Sequence, residues 1–486
     1  MAHTESTWIP SKYNIVTELV ESRTAVLNTR SGAIVMMDKK EFDRLFVTDK
    51  GIIIGPTSEE QDSLNKLIKN GFLVAKDVDE TSILELQVQE AKFRNDWVSY
   101  TIAPTLACNL WCDYCFESHL EEKSKGSMSK SVQNDLLKYI LLSSTDKRKV
   151  HINWFGGEPL VANKTIHDLI TALGPYFEKK NIDFESSMNT NGTKIVDCLE
   201  LLRELRLKTM QVTIDIPFSS KVGKLEDYSI DKVFDGICVA SKYCKDVILR
   251  INIVEDNEQE FKELWDRLSS DSMKASIGCV VFIEMFRPKP RAGDRGPFFP
   301  ISQAQYKAIV DRETENAFNI GIDIKERWLT PIPVCEACRV NNFVVDPKGN
   351  LYRCINDIGD VRYSYGHVSD SGINKPSEYY KWLLFDPTKI KECRACIYLP
   401  LCLGGCAHKR FQVRSNKEAN TICPYEFKFG INDQLLRLIK KMANKTLSAG
   451  REKTRAAEAQ RYPLWRDLLA TKEVSDACRT GMKLGY

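Results

Sequence analysis

Cys108, Cys112 and Cys115 are spaced CxxxCxxC, and a longer array follows: Cys335, Cys338 and Cys354, then Cys393, Cys396, Cys402, Cys406 and Cys423. These are eleven of the chain's 16 cysteines, so the thiols are grouped rather than scattered. Close groups of this kind mean disulfides in an oxidising compartment and metal ligation in a reducing one. The opening MAHTESTWIPSKYN has no basic stretch followed by an apolar run, so we expect a cytoplasmic protein and read both arrays as metal ligands. Three thiolates leave one iron of a 4Fe-4S cube without a protein ligand, and that is where chemistry can occur. The plain alternative is structural zinc, which asks for four closed ligands and has only His119 nearby as an obvious fourth. Cys198, Cys238, Cys244, Cys279 and Cys478 stand alone and read as small buried hydrophobes.

Such a loop is useful only if the fold brings other groups to it. From Trp97 to about residue 320 six strand-like runs, WVSYTIAPT, VHINWF, DFESSMNT, MQVTID, VILRINIV and VVFIEMF, are each separated by a stretch of helix length. The alternation predicts parallel βαβ units and an incomplete (β/α)6 barrel, an α/β fold whose active site lies at the C-terminal ends of its strands. The first cysteine loop follows the first strand, so its thiolates should meet at that rim. After the second strand, Phe155-Gly156-Gly157-Glu158-Pro159 supplies two glycines through which backbone can approach a ligand, and a carboxylate able to accept from an ammonium group. Ser187-Met188-Asn189-Thr190-Asn191-Gly192 follows the third strand with side chains suited to ribose hydroxyls, although Asn191-Gly192 also reads as a simple turn. Arg250-Ile251-Asn252 lies on the fifth strand. The loop RPKPRAGDRGPFFP, residues 287–300, marks the exit from the barrel.

Ahead of the barrel, YNIVTELVE, TAVLNT and GAIVMMD alternate apolar and polar residues, with breakers at Ser22-Arg23 and Arg30-Ser31-Gly32, which predicts three short strands. KKEFDRLF and SEEQDSLNKLIKNGFLV then have helical spacing, with Ser58 and Gln61 as a capping box and Gly71 as a stop. After the second array, DQLLRLIKKM starts a helical tail. The chain has 486 residues and a net charge of +3 from 69 basic and 66 acidic side chains, so it carries no single-sign field to grip nucleic acid. No run reaches the roughly 18 apolar residues of a membrane helix, so no membrane association is expected.

These motifs make the chain resemble the radical S-adenosylmethionine (SAM) superfamily, whose signature is CxxxCxxC after the first strand and GGE(P) after the second. The resemblance implies a 4Fe-4S cluster on Cys108, Cys112 and Cys115 whose free iron holds the amino and carboxylate groups of SAM. It further implies that Gly156, Gly157 and Glu158 face the methionine amine, that Tyr114 packs near the adenine and that Ser187 and Asn189 meet the ribose. Arg250 either pairs with the methionine carboxylate or braces the barrel. One departure stands out: relatives often carry Asp-Gly-Pro after the fourth strand, whereas this chain reads Asp215-Ile216-Pro217.

Cys338, ten residues, Gly349, four residues and Cys354, followed by Cys393-x2-Cys396-x5-Cys402-x3-Cys406 and Cys423, resembles the seven-cysteine SPASM extension, which holds two auxiliary 4Fe-4S clusters. By that resemblance Cys393, Cys396, Cys402 and Cys423 hold the outer cluster and Cys338, Cys354 and Cys406 the inner one, with Cys335 as its natural fourth ligand. Zinc ribbons are the alternative. The N-terminal residues resemble a RiPP recognition element, the winged-helix-like module that binds leader peptides, with a structural cap as the alternative. We therefore expect four parts: a peptide-binding module over 1–92, a radical SAM barrel over 93–320, a SPASM domain over 321–430 and a helical tail over 431–486.

The resemblance as a whole implies a maturase acting on a ribosomally synthesised precursor peptide with a leader, served by an electron donor such as flavodoxin or ferredoxin. An intramolecular cross-link is expected, first a Cys thioether and next a carbon-carbon link, with Asp357 as the base that takes the released proton. Formylglycine formation on a sulfatase is a further alternative. Peptide epimerisation is another, with Cys279 or Cys238 as hydrogen donor in the barrel, and outside enzymology so is a zinc-stapled interaction protein.

Overall fold

The structure is a computed structural model describing residues 7–19, 23–47, 52–53, 58–110, 112, 115, 117, 126–218, 229–270, 273, 280–286, 301–320, 322, 331–370, 376–412 and 435–439. It divides into two compact units, one of residues 1–91, 326–335 and 385–486, the other of residues 92–325 and 336–384.

In the first unit, β1 (Thr7–Pro10) starts a three-stranded sheet, and β2 (Asn14–Glu18), β3 (Arg23–Asn28) and β4 (Ile34–Asp38) form a second, antiparallel one. The three strands expected from residues 13–38 are β2 to β4. Ile15 pairs with Leu27 and Leu27 with Ile34. The helices α1 (Lys39–Phe46) and α2 (Ser58–Lys69) follow, with β5 (Ile52–Ile53) between them and β6 (Leu73–Ala75) after α2; β5 and β6 flank β1. Phe42, Leu45, Leu64, Leu67 and Phe72 form a core with Val26 and Val35. The side chains of the expected capping box at Ser58 and Gln61 lie outside the described residues; α2 does end before Gly71. A second core joins Ile15, Leu27 and Ile34 to Leu401 and Leu435, and Thr29 Oγ1 donates to the Ile397 carbonyl at 2.7 Å. The later cysteine segment is thus packed on the early strands, a partnership that local periodicity cannot announce.

Helix α3 (Glu80–Phe93) leads into the second unit. Its sheet contains six parallel strands in sequential order: β7 (Trp97–Ile102), β8 (Lys149–Trp154), β9 (Asp183–Thr190), β10 (Leu207–Ile216), β11 (Asp246–Ile253) and β12 (Val280–Phe286). Helices α4 (Lys130–Ser143), α5 (Asn163–Lys179), α6 (Leu199–Glu204), α7 (Ile230–Tyr243) and α8 (Glu258–Ser269) fill the crossovers between β7 and β12. Side chains alternate between the two faces of each strand. Val150, Ile152 and Trp154 are buried and share one core with Ile166, Leu169, Val233, Ile237 and Leu264 of the helices. Each such aliphatic burial contributes about 1.5–3 kcal/mol. The alternate residues Lys149, His151 and Asn153 are only half-buried, so the opposite face is the polar one. This is the α/β fold read from the sequence, with the six strands expected for a partial (β/α)6 barrel lying parallel and in order.

The sheet continues past β7 in a way the sequence did not suggest. β13 (Asn342–Val345) runs parallel to β7, pairing Val344 with Thr101, and β14 (Asn350–Tyr352) and β15 (Gly366–His367) follow antiparallel. The β13–β14 turn needs Gly349: its φ is +86° and an added Cβ would lie 2.6 Å from His367 Nε2. Residues 321–430, read as one domain, are shared between the units, with 336–384 in the six-stranded unit and 385–412 in the N-terminal one.

Candidate functional site

The loop after β7 carries Cys108, and three backbone hydrogen bonds tie the neighbouring loop to it. Phe155 N donates to the Ile102 carbonyl, Gly157 N to that of Thr105 and Glu158 N to that of Ala107, at 3.0, 3.3 and 3.0 Å. The pairing of β7 with β8 therefore runs on into both loops. A Cβ at Gly156, where φ is +116°, would stand 2.1 Å from the Thr105 carbonyl oxygen, and one at Gly157 would stand 2.4 Å from that of Ala107. The space these glycines leave is thus filled by the backbone of the cysteine loop.

Glu158 is fully buried. Its Oε1 accepts from Leu160 N at 3.1 Å and from Thr190 Oγ1 at 2.9 Å, and its Oε2 accepts from Asn191 N at 2.8 Å. The carboxylate read as an ammonium acceptor is engaged by donors of the protein, and it binds the ends of β8 and β9 together. Beyond it, Asn191 Nδ2 donates to Asn109 Oδ1 at 2.9 Å and to Cys108 Sγ at 3.8 Å, while Asn109 Nδ2 donates to Thr193 Oγ1 at 2.9 Å. Asn191-Gly192 is a turn, with Gly192 at φ +85°, and it also supports the cysteine loop. Asn109 and Thr193 had no sequence signal, since an Asn after a Cys is common and its partner lies 84 residues away.

Desolvation of the thiol pushes Cys108 up to about 11 and Cys115 up to about 12; the charges of Glu158 and Glu117 add to this at Cys108, and that of Glu117 at Cys115. Cys112 lies close enough to both to act on them in the same direction. Among the described residues no group of three or more His, Cys, Asp or Glu is gathered tightly enough to hold one metal ion. A four-iron cube takes each thiolate on a different iron and needs no such convergence. The three soft sulfur donors, close enough for Cys112 to act on both of the others, fit an iron-sulfur group, whose irons would hold the anionic form that the surroundings of Cys108 and Cys115 otherwise oppose. Tyr114 and His119 lie outside the described residues.

Ser187 and Asn189 face the polar side of the sheet, where they line an open hollow of about 380 Å³ with His151, Glu185, Lys208 and Gln211. Ser187 Oγ donates to Asn153 Oδ1 at 2.9 Å. Arg250 Nε donates to Asn252 Oδ1 at 3.2 Å and Asn252 Nδ2 to Asp215 Oδ1 at 3.1 Å. Thr213 and Asp215 pair across the ladder with Arg250 and Asn252. Asp357 is buried in the turn Ile355–Asp357, its backbone N donating to the Cys354 carbonyl at 3.1 Å.

In the second array, Cys338 and Cys354 are buried in the six-stranded unit. Cys335, Cys393, Cys396, Cys402 and Cys406 belong to the other unit, and Cys423 lies outside the described residues. Arg410 Nη2 donates to Cys393 Sγ at 3.8 Å, and Cys396 N to the Cys393 carbonyl at 2.9 Å. Cys198 and Cys244 are buried within the helical layer of the second unit. Cys238, weighed as a hydrogen donor in the barrel, sits on α7 with its Sγ 3.4 Å from Met273 Sδ, so it belongs to the helical layer as well. Cys279 lies outside the described residues.

Residues 102–268 match the radical SAM superfamily. The serine-type anaerobic sulfatase-maturating enzyme of Klebsiella aerogenes is 23% identical over 323 residues, covering 62% of this chain and 77% of that protein. The GTP 3',8-cyclase of Rhodobacter capsulatus is 29% identical over 276 residues, covering 53% and 78%. Among solved structures, SuiB of Streptococcus suis bound to S-adenosylmethionine aligns with a TM-score of 0.48 at 15% identity, covering 84% of this chain and 97% of that one. Over residues 102–268 the chain carries a radical SAM domain, and it is an enzyme.

Proposed function

We propose that this enzyme is a peptide maturase that installs an intramolecular cross-link, first of all a thioether from a Cys sulfur to carbon, in a ribosomally made precursor. The observation that carries the reading is the composition of the first unit. A small antiparallel sheet with two helices, the kind of module that takes peptides, shares a core with the segment bearing Cys393, Cys396 and Cys402. Among the described residues β2 and β4 are the outer strands of their three-stranded sheet, and an extended leader segment could add its main chain as a further strand beside one of them. The sulfatase-maturating relative also works on a protein, as its name states, and formylglycine formation is the second reading it favours.

Cys108, Cys112 and Cys115 would hold the SAM-binding 4Fe-4S cluster, and the later array would hold two auxiliary clusters. With SAM, the first cluster supplies a 5′-deoxyadenosyl radical that takes hydrogen from carbon. Ser187 and Asn189 would hold the ribose, Arg250 the methionine carboxylate and Tyr114 the adenine. Gly156, Gly157 and Glu158 would face the methionine amine, with Glu158 already accepting three hydrogen bonds from the protein. Glu158, Asn191 and Asn109 keep that loop and the cysteine loop in register, which is the positioning a radical reaction requires. A thioether removes two hydrogens, one as an atom and one as a proton and an electron; Asp357 would take the proton and an auxiliary cluster held by the later cysteines would take the electron. A flavodoxin- or ferredoxin-type donor would supply the starting electron. Among the described residues no helix is long and apolar enough to cross a membrane.

Anoxic co-expression with a Cys-bearing candidate precursor, followed by mass spectrometry, tests the proposal. A peptide lighter by two hydrogens and resistant to thiol alkylation supports it. Unchanged mass with an inverted centre would instead mean epimerisation, and a formylglycine product would mean sulfatase-type maturation.

A further inference from the structure

Arg353 is the residue before Cys354 and is only 3% exposed. Its side chain reaches back to the turn Glu336–Cys338. Nε and Nη2 donate to the Ala337 carbonyl at 3.0 and 2.8 Å, Nη2 donates also to the Arg339 carbonyl, and Nη1 donates to the Asn342 carbonyl at 3.0 Å. The carbonyls immediately before and after Cys338 therefore close on one guanidinium, whose own backbone continues into Cys354. The Tyr379 ring lies 5.0 Å from the guanidinium carbon, and the buried Tyr365 packs on Tyr379 with 5.0 Å between ring centroids.

The unusual feature is the charge. Arginine does not lose its proton in proteins, and burying a full charge without a counter-ion costs several kcal/mol. The polar partners of this guanidinium are neutral carbonyls and phenols, and among the described residues no carboxylate forms an ion pair with it. Carbonyls and an aromatic face solvate the group but do not neutralise it. The carbonyls that it holds flank Cys338 and its own backbone leads into Cys354, two buried residues whose thiols can carry negative charge.

We propose that Arg353 is a clamp that fixes Cys338 against Cys354 and the built-in counter-charge of an anionic iron-sulfur cluster ligated by those two cysteines. The inference rests on the reading that both are cluster ligands. A fixed cation beside such a cluster favours the reduced, more negative state, so Arg353 raises its reduction potential. Arg353 is thus a positioning and tuning residue for a cluster suited to accepting an electron.

The test is an EPR-monitored redox titration of the full-length enzyme, reconstituted anoxically, with R353M, R353K, C338A and C354A beside the wild type. In R353M the ratio of reduced to oxidised auxiliary cluster at a fixed potential should fall about tenfold, equivalent to about 59 mV for one electron, with the SAM-binding cluster unchanged. R353K keeps the charge but cannot span three carbonyls; its potential should move less than that of R353M while its EPR line shape changes with the ligand geometry. Full iron content with unmoved potential in R353M would reduce Arg353 to a fold brace. Should R353M not fold, an R353K titration and spectrum identical to wild type would equally overturn the proposal. The underlying reading fails separately: C338A and C354A should each lower iron by up to about four per chain, and if both keep every iron, these cysteines are not ligands.

Discussion

The loop of Cys108 follows one strand and is bonded to the loops that follow the next two, whereas the described cysteines from 335 to 406 have members in both compact units. The first arrangement is local in space: Glu158 and Asn191 reach the cysteine loop from strands adjacent in both order and sequence. The second draws on segments that fold apart, with Cys338 and Cys354 carried by strands added to the half-barrel and Cys393 to Cys406 by turns packed on β2 to β4. The contrast shows that a loop on a βαβ rim needs few supports, all supplied by its neighbours, while the later cysteines are divided between two separately packed units.

The sharpest way to break this comparison is to remove one thiol from each array. C112A should abolish 5′-deoxyadenosine formation and lower iron by about four per chain, read by product chromatography and iron assay. C402A should lower iron by a similar amount, spare part of the SAM cleavage and stop cross-linking of the peptide. Equal loss of SAM cleavage in both would mean that the arrays do not divide the work.

A smaller effect tests the local supports. E158A removes the acceptor of Leu160 N, Thr190 Oγ1 and Asn191 N in a fully buried place. At about 1–3 kcal/mol for each buried donor left unsatisfied, a loss of several kcal/mol is expected in denaturant unfolding, together with weaker SAM binding by calorimetry. E158Q keeps an acceptor and should lose less. A variant E158A as stable as wild type would show that the β8 and β9 loops are held by other means.

These tests also mark where the sequence was informative. The six parallel strands were legible because apolar runs of strand length, each followed by a helix-length stretch, leave few alternatives, and DFESSMNT and VVFIEMF coincide with β9 and β12. The position of the cysteine loop was legible for the same reason. The partners of Glu158, Asn109 and Arg353 were not: a carboxylate, an amide and a guanidinium bind whatever the fold delivers, and the delivery is long-range. Nor was β13 legible, since Asn342–Val345 is too short to declare that it will pair with β7 rather than lie in a separate Cys-rich domain.

The smallest expected effect separates the two units by pH. His151 lines the polar hollow, and its pKa falls from 6.5 to about 4 because it is desolvated, against the opposing charge of Glu185 and with smaller help from Lys208 and Lys149. The imidazole is therefore neutral in the fold, while in the unfolded chain it takes a proton below about pH 6.5. Between pH 6.5 and 4 the unfolded state binds more protons, so stability conferred above pH 6.5 drains away as pH falls, on the order of 2–3 kcal/mol in all. H151Q, which has no proton to take up, should flatten this part of the profile. Residues 14–38, which form β2 to β4, contain no histidine. Hydrogen exchange resolved by peptide should thus show β8 and its neighbours losing protection as the pH falls from 6.5 to 4.5, after correction for the intrinsic exchange rate, with H151Q suppressing that loss while β2 to β4 stay the same in both proteins. A parallel decline in both units that H151Q leaves untouched would assign the acid sensitivity to other groups.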